Sequence, residues 1–185
     1  RELAEKSDVL ERLELTSKEY GIVTMHRPSN VDSPEILSGI WGALARVSEE
    51  VELIFPVHPR TRARIEALLA ECPARIRLVE PAGYLDFLKL QAHARIILTD
   101  SGGIQEEATI LEVPCLTMRE NTERPVTIEV GCNRLVGTDP ARIQEAALAV
   151  LGGEGGAPRR PDLWDGRAAE RIVADIVATY GSTQS

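Results

Sequence analysis

No apolar run in this chain of 185 residues approaches the roughly 20 residues that a bilayer-spanning helix needs, and the charged opening Arg1-Glu2-Leu3-Ala4-Glu5-Lys6 is not a secretory signal. Cysteine is scarce: Cys72, Cys115 and Cys132 stand far apart in no metal-type spacing, and an odd number makes a poor disulfide framework. They read as the reduced thiols of a cytoplasmic protein. Basic charge is in deficit, with 21 Lys and Arg against 29 Asp and Glu and a formal net charge of -8, which argues against nucleic acid as the main partner. Any phosphate must then be held by local geometry. No two histidines show metal-ligand spacing and no carboxylate cluster suggests a hard cation, so no essential metal is expected. An initiator methionine is missing too, from which a mature or shortened form is expected.

What is present is the composition of a soluble globular protein, 43% hydrophobic and 27% charged, at a length that suits one domain with a sizeable core. The chain is organised around Thr99-Asp100-Ser101-Gly102-Gly103-Ile104-Gln105-Glu106-Glu107, which joins the apolar run Ile96-Ile97-Leu98 to an amphipathic run and reads as strand, turn, helix. Ser101 is expected to cap the helix. The two glycines let a ligand approach the backbone, so the free N–H groups beside the positive helix end form an anion site. Glu107, four residues after Gly103, falls on roughly the same helix face, a layout that suits a phosphate followed by a ribose. The same residues also fit a plain capped turn followed by solvated acids.

The remaining sequence repeats the unit. Strands are expected over 21–25, 51–57, 76–79, 95–99, 114–117 and 133–136, with helices over 34–47, 61–70, 84–92, after Ser101, and over 140–151 and 168–180. Ile65, Leu68 and Leu69 are expected to face inward, Leu85, Phe87 and Leu88 to make an almost all-round apolar helix, and Pro28 to stop regular structure. Residues 1–13 read as a solvent-washed helix, 152–161 as a Gly/Pro-rich loop, and 181–185 as a frayed tail. Short apolar strands alternating with helices specify an α/β, doubly wound, mostly parallel six-stranded sheet of Rossmann-like type. Such sheets bind ligands outside the carboxyl ends of their strands, where His26-Arg27, His58-Pro59-Arg60, Ser101-Gly102-Gly103 and the loop from Arg119 to Arg124 all fall.

With these segments in order, the sequence resembles the carboxyl-terminal half of the non-hydrolysing UDP-N-acetylglucosamine 2-epimerases. The motifs that carry the likeness are Thr24-Met25-His26-Arg27, Phe55-Pro56-Val57-His58-Pro59, Gly83-Tyr84-Leu85-Asp86-Phe87, Leu98 to Glu107, and Thr122-Glu123-Arg124-Pro125. The resemblance implies the second domain of a B-type glycosyltransferase-like fold. Residues 1–18 would be a connector helix from an absent N-terminal Rossmann-like domain, 19–163 the nucleotide-sugar-binding domain, and 164–185 a C-terminal helix and tail. It implies a UDP-sugar substrate and UDP, no redox cofactor, and a homodimer for the full protein. The family reaction eliminates UDP to give a glycal and adds it back with a proton on the opposite face of carbon 2. The groups acting at carbon 2 lie largely in the missing half, so the isolated chain is expected not to epimerise. Half of a B-type glycosyltransferase and a non-catalytic nucleotide-sugar binding module are the alternatives.

Residue by residue, the likeness makes Ser101, Gly102 and Gly103 the diphosphate turn, Glu107 the ribose carboxylate, and Phe87 with the backbone near Ala82 the uracil pocket. Arg124 becomes a phosphate contact, since a guanidinium fork suits a diphosphate, and His26 the active-site histidine, able to pass a proton. Without the likeness, Phe87 is core, Arg124 pairs with Glu120 or Glu123, and His26 caps a carbonyl at a strand end. Arg27 and His58 face the same rim in binding or merely structural roles, and His93 is a surface residue. Ser29 stands where the resemblance would lead one to expect Glu, which puts the hydrogen bonding around His26, and contacts for allosteric control, in question.

Overall fold

Six short strands, the central ones rich in Ile, Leu and Val, pair edge to edge in the computed structural model, which describes residues 2–68, 72–154 and 159–181. They are β1 (Tyr20–Thr24), β2 (Glu52–Pro56), β3 (Ile76–Val79), β4 (Ile96–Thr99), β5 (Cys115–Thr117) and β6 (Asn133–Leu135). The helices are α1 (Val9–Arg12), α2 (Pro28–Val31), α3 (Pro34–Ser48), α4 (Pro59–Leu68), α5 (Tyr84–His93), α6 (Gly102–Leu111), α7 (Val126–Glu129), α8 (Pro140–Leu151) and α9 (Ala168–Tyr180). The strand order is β3-β2-β1-β4-β5-β6 and every neighbouring pair is parallel. The order reverses between β1 and β4, where Thr24 sits beside Thr99 in register. Such a switch point opens a crevice at the carboxyl ends of the strands.

Alternation along each strand divides the core in two. Ile96 and Leu98 face the layer of α3, α4 and α8, with Leu37, Leu44, Ile65 and Ile143, while Ile97 and Ile22 face Leu90 of α5 and Ala108 of α6. This chain's own helices therefore cover both faces of the sheet, and the domain has a complete core. Gly21 in the central β1 is required by close approach: a Cβ there would lie 2.8 Å from Leu53 Cδ2 and 3.0 Å from Ile96 Cγ2.

Several local expectations are corrected. Pro28 begins a one-turn helix instead of stopping structure, because its fixed φ suits the first helical position, where no N–H is needed. Within residues 2–13 the chain forms a 3₁₀ turn (Ala4–Lys6) and α1 rather than one solvent-washed helix. Ala4 and Val9 are buried, and Asp86, held below its usual carboxylate range by Ser7 and Arg12, ties the segment to α5. His93 belongs to the same attachment, through Ser17 Oγ at 3.0 Å and Glu5 Oε2 at 3.3 Å. In α5, Leu85 is exposed and Leu90 is the fully buried anchor. Of the residues expected to face inward from α4, Ile65 is buried and Leu68 exposed. Leu69 and the helix end at Ala70 lie outside the described residues, as do 155–158 of the Gly/Pro-rich loop and the tail 182–185. The apolar side of α9, formed by Ile172, Val173, Ile176 and Val177, faces solvent. Among the described residues no helix is long and apolar enough to cross a membrane.

Candidate functional site

β4 ends at Thr99 because Ser101-Gly102-Gly103 turns the chain into α6 without β-branched crowding. Ser101 occupies the N-cap position with extended backbone, φ -89° and ψ 132°. Its hydroxyl makes no cap bond, contrary to the expected capping role. The turn is stabilised instead by Thr99 Oγ1, which accepts the Ser101 N–H at 3.0 Å and shares a 2.7 Å hydrogen bond with Thr24 Oγ1 across the switch point. Among the described residues the Ser101 hydroxyl is thereby left unused beside the first N–H groups of α6, a geometry ready for an anion.

Asp100, given no role in the sequence reading, joins this turn to the loop after β1. It is fully buried. Its Oδ2 accepts the His26 N–H at 3.0 Å, the Arg27 N–H at 2.9 Å and Asn30 Nδ2 at 3.4 Å, and its Oδ1 lies 2.9 Å from His26 Nδ1. The His26 ring is therefore held by a carboxylate rather than capping a carbonyl, with its outer edge exposed. His58 is exposed too, and the two histidines line one pocket of about 180 Å³ with Pro28, Val31 and Asp32. Ser29, in place of an expected Glu, donates to Asn30 Oδ1 at 3.2 Å, and Asn30 Nδ2 donates to the Met118 carbonyl at 2.9 Å. The loop is thus pinned to the residue that follows β5 without a carboxylate at position 29.

The Thr122-Glu123-Arg124-Pro125 loop is brought over the start of α6 by a buried amide network. Gln105 Nε2 donates to the Ser101 carbonyl at 3.1 Å, while its Oε1 accepts from Thr122 Oγ1 at 2.6 Å and Asn133 Nδ2 at 3.1 Å. Asn133 also accepts from Thr117 Oγ1 at 2.6 Å and donates to Thr127 Oγ1 at 3.1 Å. Gln105, Thr117, Thr127 and Asn133 are all buried, so the network fixes the loop relative to the turn.

Of the sequence-expected partners of Arg124, neither Glu120 nor Glu123 takes the role. Arg124 Nε lies 2.8 Å from Glu106 Oε1 of α6. Glu123 instead pairs with Arg119 at 2.7 and 2.9 Å, and this guanidinium, helped by the backbone N–H of Glu123 itself, holds the Glu123 carboxyl down at about 2. A Cβ on Gly102 would stand 3.9 Å from Glu123 Oε2, so this carboxylate hangs close to the turn. Glu107 is half-buried and accepts from Gln91 Nε2 at 2.6 Å, which fixes one oxygen and leaves the other without a hydrogen-bond partner among the described residues. Phe87 and Ala82 pack, partly buried, against the α5–α6 side of the core. Arg27, half-buried, opens onto a second pocket of about 310 Å³ with Asn30, Arg119 and Asn121.

The fold and the rim together define a Rossmann-like α/β domain with its polar residues gathered at the switch point and an open, uncapped helix start among them. The chain belongs to the UDP-N-acetylglucosamine 2-epimerase family, whose sequence profile matches residues 1–177. A UDP-N-acetylglucosamine 2-epimerase of Methanocaldococcus jannaschii is 41% identical over 169 residues, covering 88% of this chain and 45% of the relative. A UDP-2,3-diacetamido-2,3-dideoxy-D-glucuronate 2-epimerase of Pseudomonas aeruginosa is 39% identical over 132 residues, 71% of this chain and 37% of that one. The crystal structure of the Methanocaldococcus jannaschii UDP-GlcNAc 2-epimerase, in complex with UDP-GlcNAc and UDP, superposes with a TM-score of 0.82 at 38% identity, covering 96% of this chain and 50% of that one. The chain thus spans about half the length of the curated relatives it matches.

Proposed function

We propose that this chain is the nucleotide-binding half of a non-hydrolysing UDP-N-acetylglucosamine 2-epimerase, an isomerase that interconverts UDP-GlcNAc and UDP-ManNAc by eliminating UDP and adding it back. The observation that carries the reading is the open helix start at Ser101-Gly102-Gly103, with its serine hydroxyl unspent and the Arg124 loop held above it by Gln105. In this reading the α6 amides and Arg124 bind the diphosphate, and their interaction strengthens as elimination leaves negative charge there. Glu107 takes the ribose hydroxyls with the oxygen that Gln91 leaves free. Phe87 and the backbone at Ala82 border the uracil. His26 passes a proton in the bridging region, with Arg27 and His58 lining the approach.

The sugar-facing groups come substantially from a further Rossmann-like domain, connected through residues 1–18 to the nucleotide domain at 19–163. The C-terminal helix and tail, 164–185, are a separate segment of the chain, and the exposed apolar side of α9 is a surface that the other half can cover. The full enzyme works as a cytoplasmic homodimer, and these 185 residues alone do not epimerise. Calorimetric titration with UDP tests the site. Binding that Ser101→Ala and Glu107→Ala each weaken by about 5- to 30-fold, the value of one lost hydrogen bond to a charged group or ribose, is expected. Unchanged affinity in both variants would remove the nucleotide from this turn, and epimerisation by the isolated chain would remove the need for a second half.

A further inference from the structure

We propose that Asp100 is the positioning residue of His26: its carboxylate locks the imidazole in the tautomer that carries hydrogen on Nδ1, and presents an unprotonated Nε2 to the rim. This rests on the reading of His26 as the proton-handling group, and it adds the group that sets which nitrogen does the handling.

Every polar neighbour of the Asp100 side chain is a donor or must become one. Three donors converge on Oδ2, from the His26 and Arg27 backbone and the Asn30 amide. Oδ1 receives the His26 N–H only at 3.2 Å and otherwise faces His26 Nδ1 at 2.9 Å. A carboxylate offers acceptors alone, so a neutral ring held at that distance must place its hydrogen on Nδ1. Burial makes this preference strong, because the fully buried Asp100 has no water to turn to. The ring's other edge is exposed, the His26 side chain being 59% accessible, so the free Nε2 is the nitrogen that meets a ligand. The ring is held from its own backbone side as well, since the same carboxylate grips the His26 and Arg27 N–H groups. Ring orientation and loop position are set by one residue just after β4, 74 positions away.

Asp100→Asn reverses the tautomer while keeping the shape. An amide at this place puts its oxygen where three donors already point and its nitrogen where Oδ1 stood, facing His26 Nδ1. His26 Nδ1 must then accept from this amide, and the ring hydrogen moves to Nε2, as when an asparagine replaces the triad aspartate of a serine protease.

The domain carries its own two-sided core, so the tautomer can be read on this chain by nitrogen-15 histidine spectroscopy. A pH of about 9 keeps imidazoles neutral. The chain's three histidines are assigned by the loss of one signal in His26→Gln. The wild type is expected to show hydrogen on Nδ1 of His26, and Asp100→Asn to show it on Nε2. A wild-type ring with hydrogen on Nε2, or a folded Asp100→Asn chain that keeps it on Nδ1, overturns the proposal. If the variant does not fold, the wild-type spectrum decides alone. In the full-length protein Asp100→Asn is expected to lower kcat by about 10²- to 10⁴-fold with little change in KM. Full turnover by His26→Asn would instead defeat the catalytic reading of His26 while leaving the tautomer result standing.

Discussion

Replacing Gln105 by methionine removes the hub of the network that holds the Arg124 loop over the α6 start, without opening a cavity, because the two side chains have nearly the same length. The amide is fully buried and makes bonds of 2.6, 3.1 and 3.1 Å to Thr122, Asn133 and the Ser101 carbonyl. Each such bond contributes about 1 kcal/mol net, so all of them together contribute about 3 kcal/mol. Asn133 keeps its bond to Thr127, and the Ser101 carbonyl and Thr122 hydroxyl are only part-buried and can turn to water, which lowers the expected loss to about 2–3 kcal/mol. In a chain of this size 1 kcal/mol corresponds to about 2–4 °C, so the melting temperature should fall by about 4–12 °C. Urea denaturation measures the free energy directly, and UDP titration of the same variant should show weaker binding, since the loop is no longer registered on the turn. Thr122→Val should lose less, and the double variant should lose less than the sum of the two, because both break the same 2.6 Å bond. A Gln105→Met chain within about 0.5 kcal/mol of the wild type, or strictly additive single variants, would refute the network as the device that sets the loop.

Two further outcomes follow from the same geometry. The Glu123 carboxyl is lowered from 4.5 to about 2 by Arg119, so its favourable pairing is complete above the ordinary glutamate range and is lost as pH falls through that range towards about 2. Acid titration of stability should therefore be shallower over that window for Glu123→Gln than for the wild type, and identical curves would mean that the pair contributes nothing. Gly21→Ala inserts a methyl 2.8 Å from Leu53 Cδ2 inside a packed sheet, which should lower stability by about 1–3 kcal/mol with an unchanged m value. An unmoved urea midpoint would show that the β1–β2 layer has room to spare.

How much of this was legible in the sequence depends on the separation of the partners. The alternation of apolar runs and helices, the six strands and the Ser-Gly-Gly turn are written in residues a few positions apart, and those features were readable because a period of 2 or 3.6 is a local property. Capping at the start of α8 falls to Asp139, which accepts the Arg142 N–H at 2.9 Å. Capping was misjudged at Ser101, where Thr99 does the holding. The resemblance in five motifs carried the family.

Other properties were decided only when distant segments met. Asp100 looks like one more acid in a polar turn until β1 and β4 lie side by side and the loop after β1 donates its N–H groups to it. Arg124 chose Glu106 over two nearer acids in the chain because α6 runs beneath its loop. The apolar stripe of α9 was visible in the sequence, but the sequence gives no sign that this chain leaves it uncovered. Periodicity tells which side of an element is apolar. Which surface covers that side, and which buried charge meets which donor, is set by strand order and by contacts across seventy or more residues, and these exist only in the folded sheet.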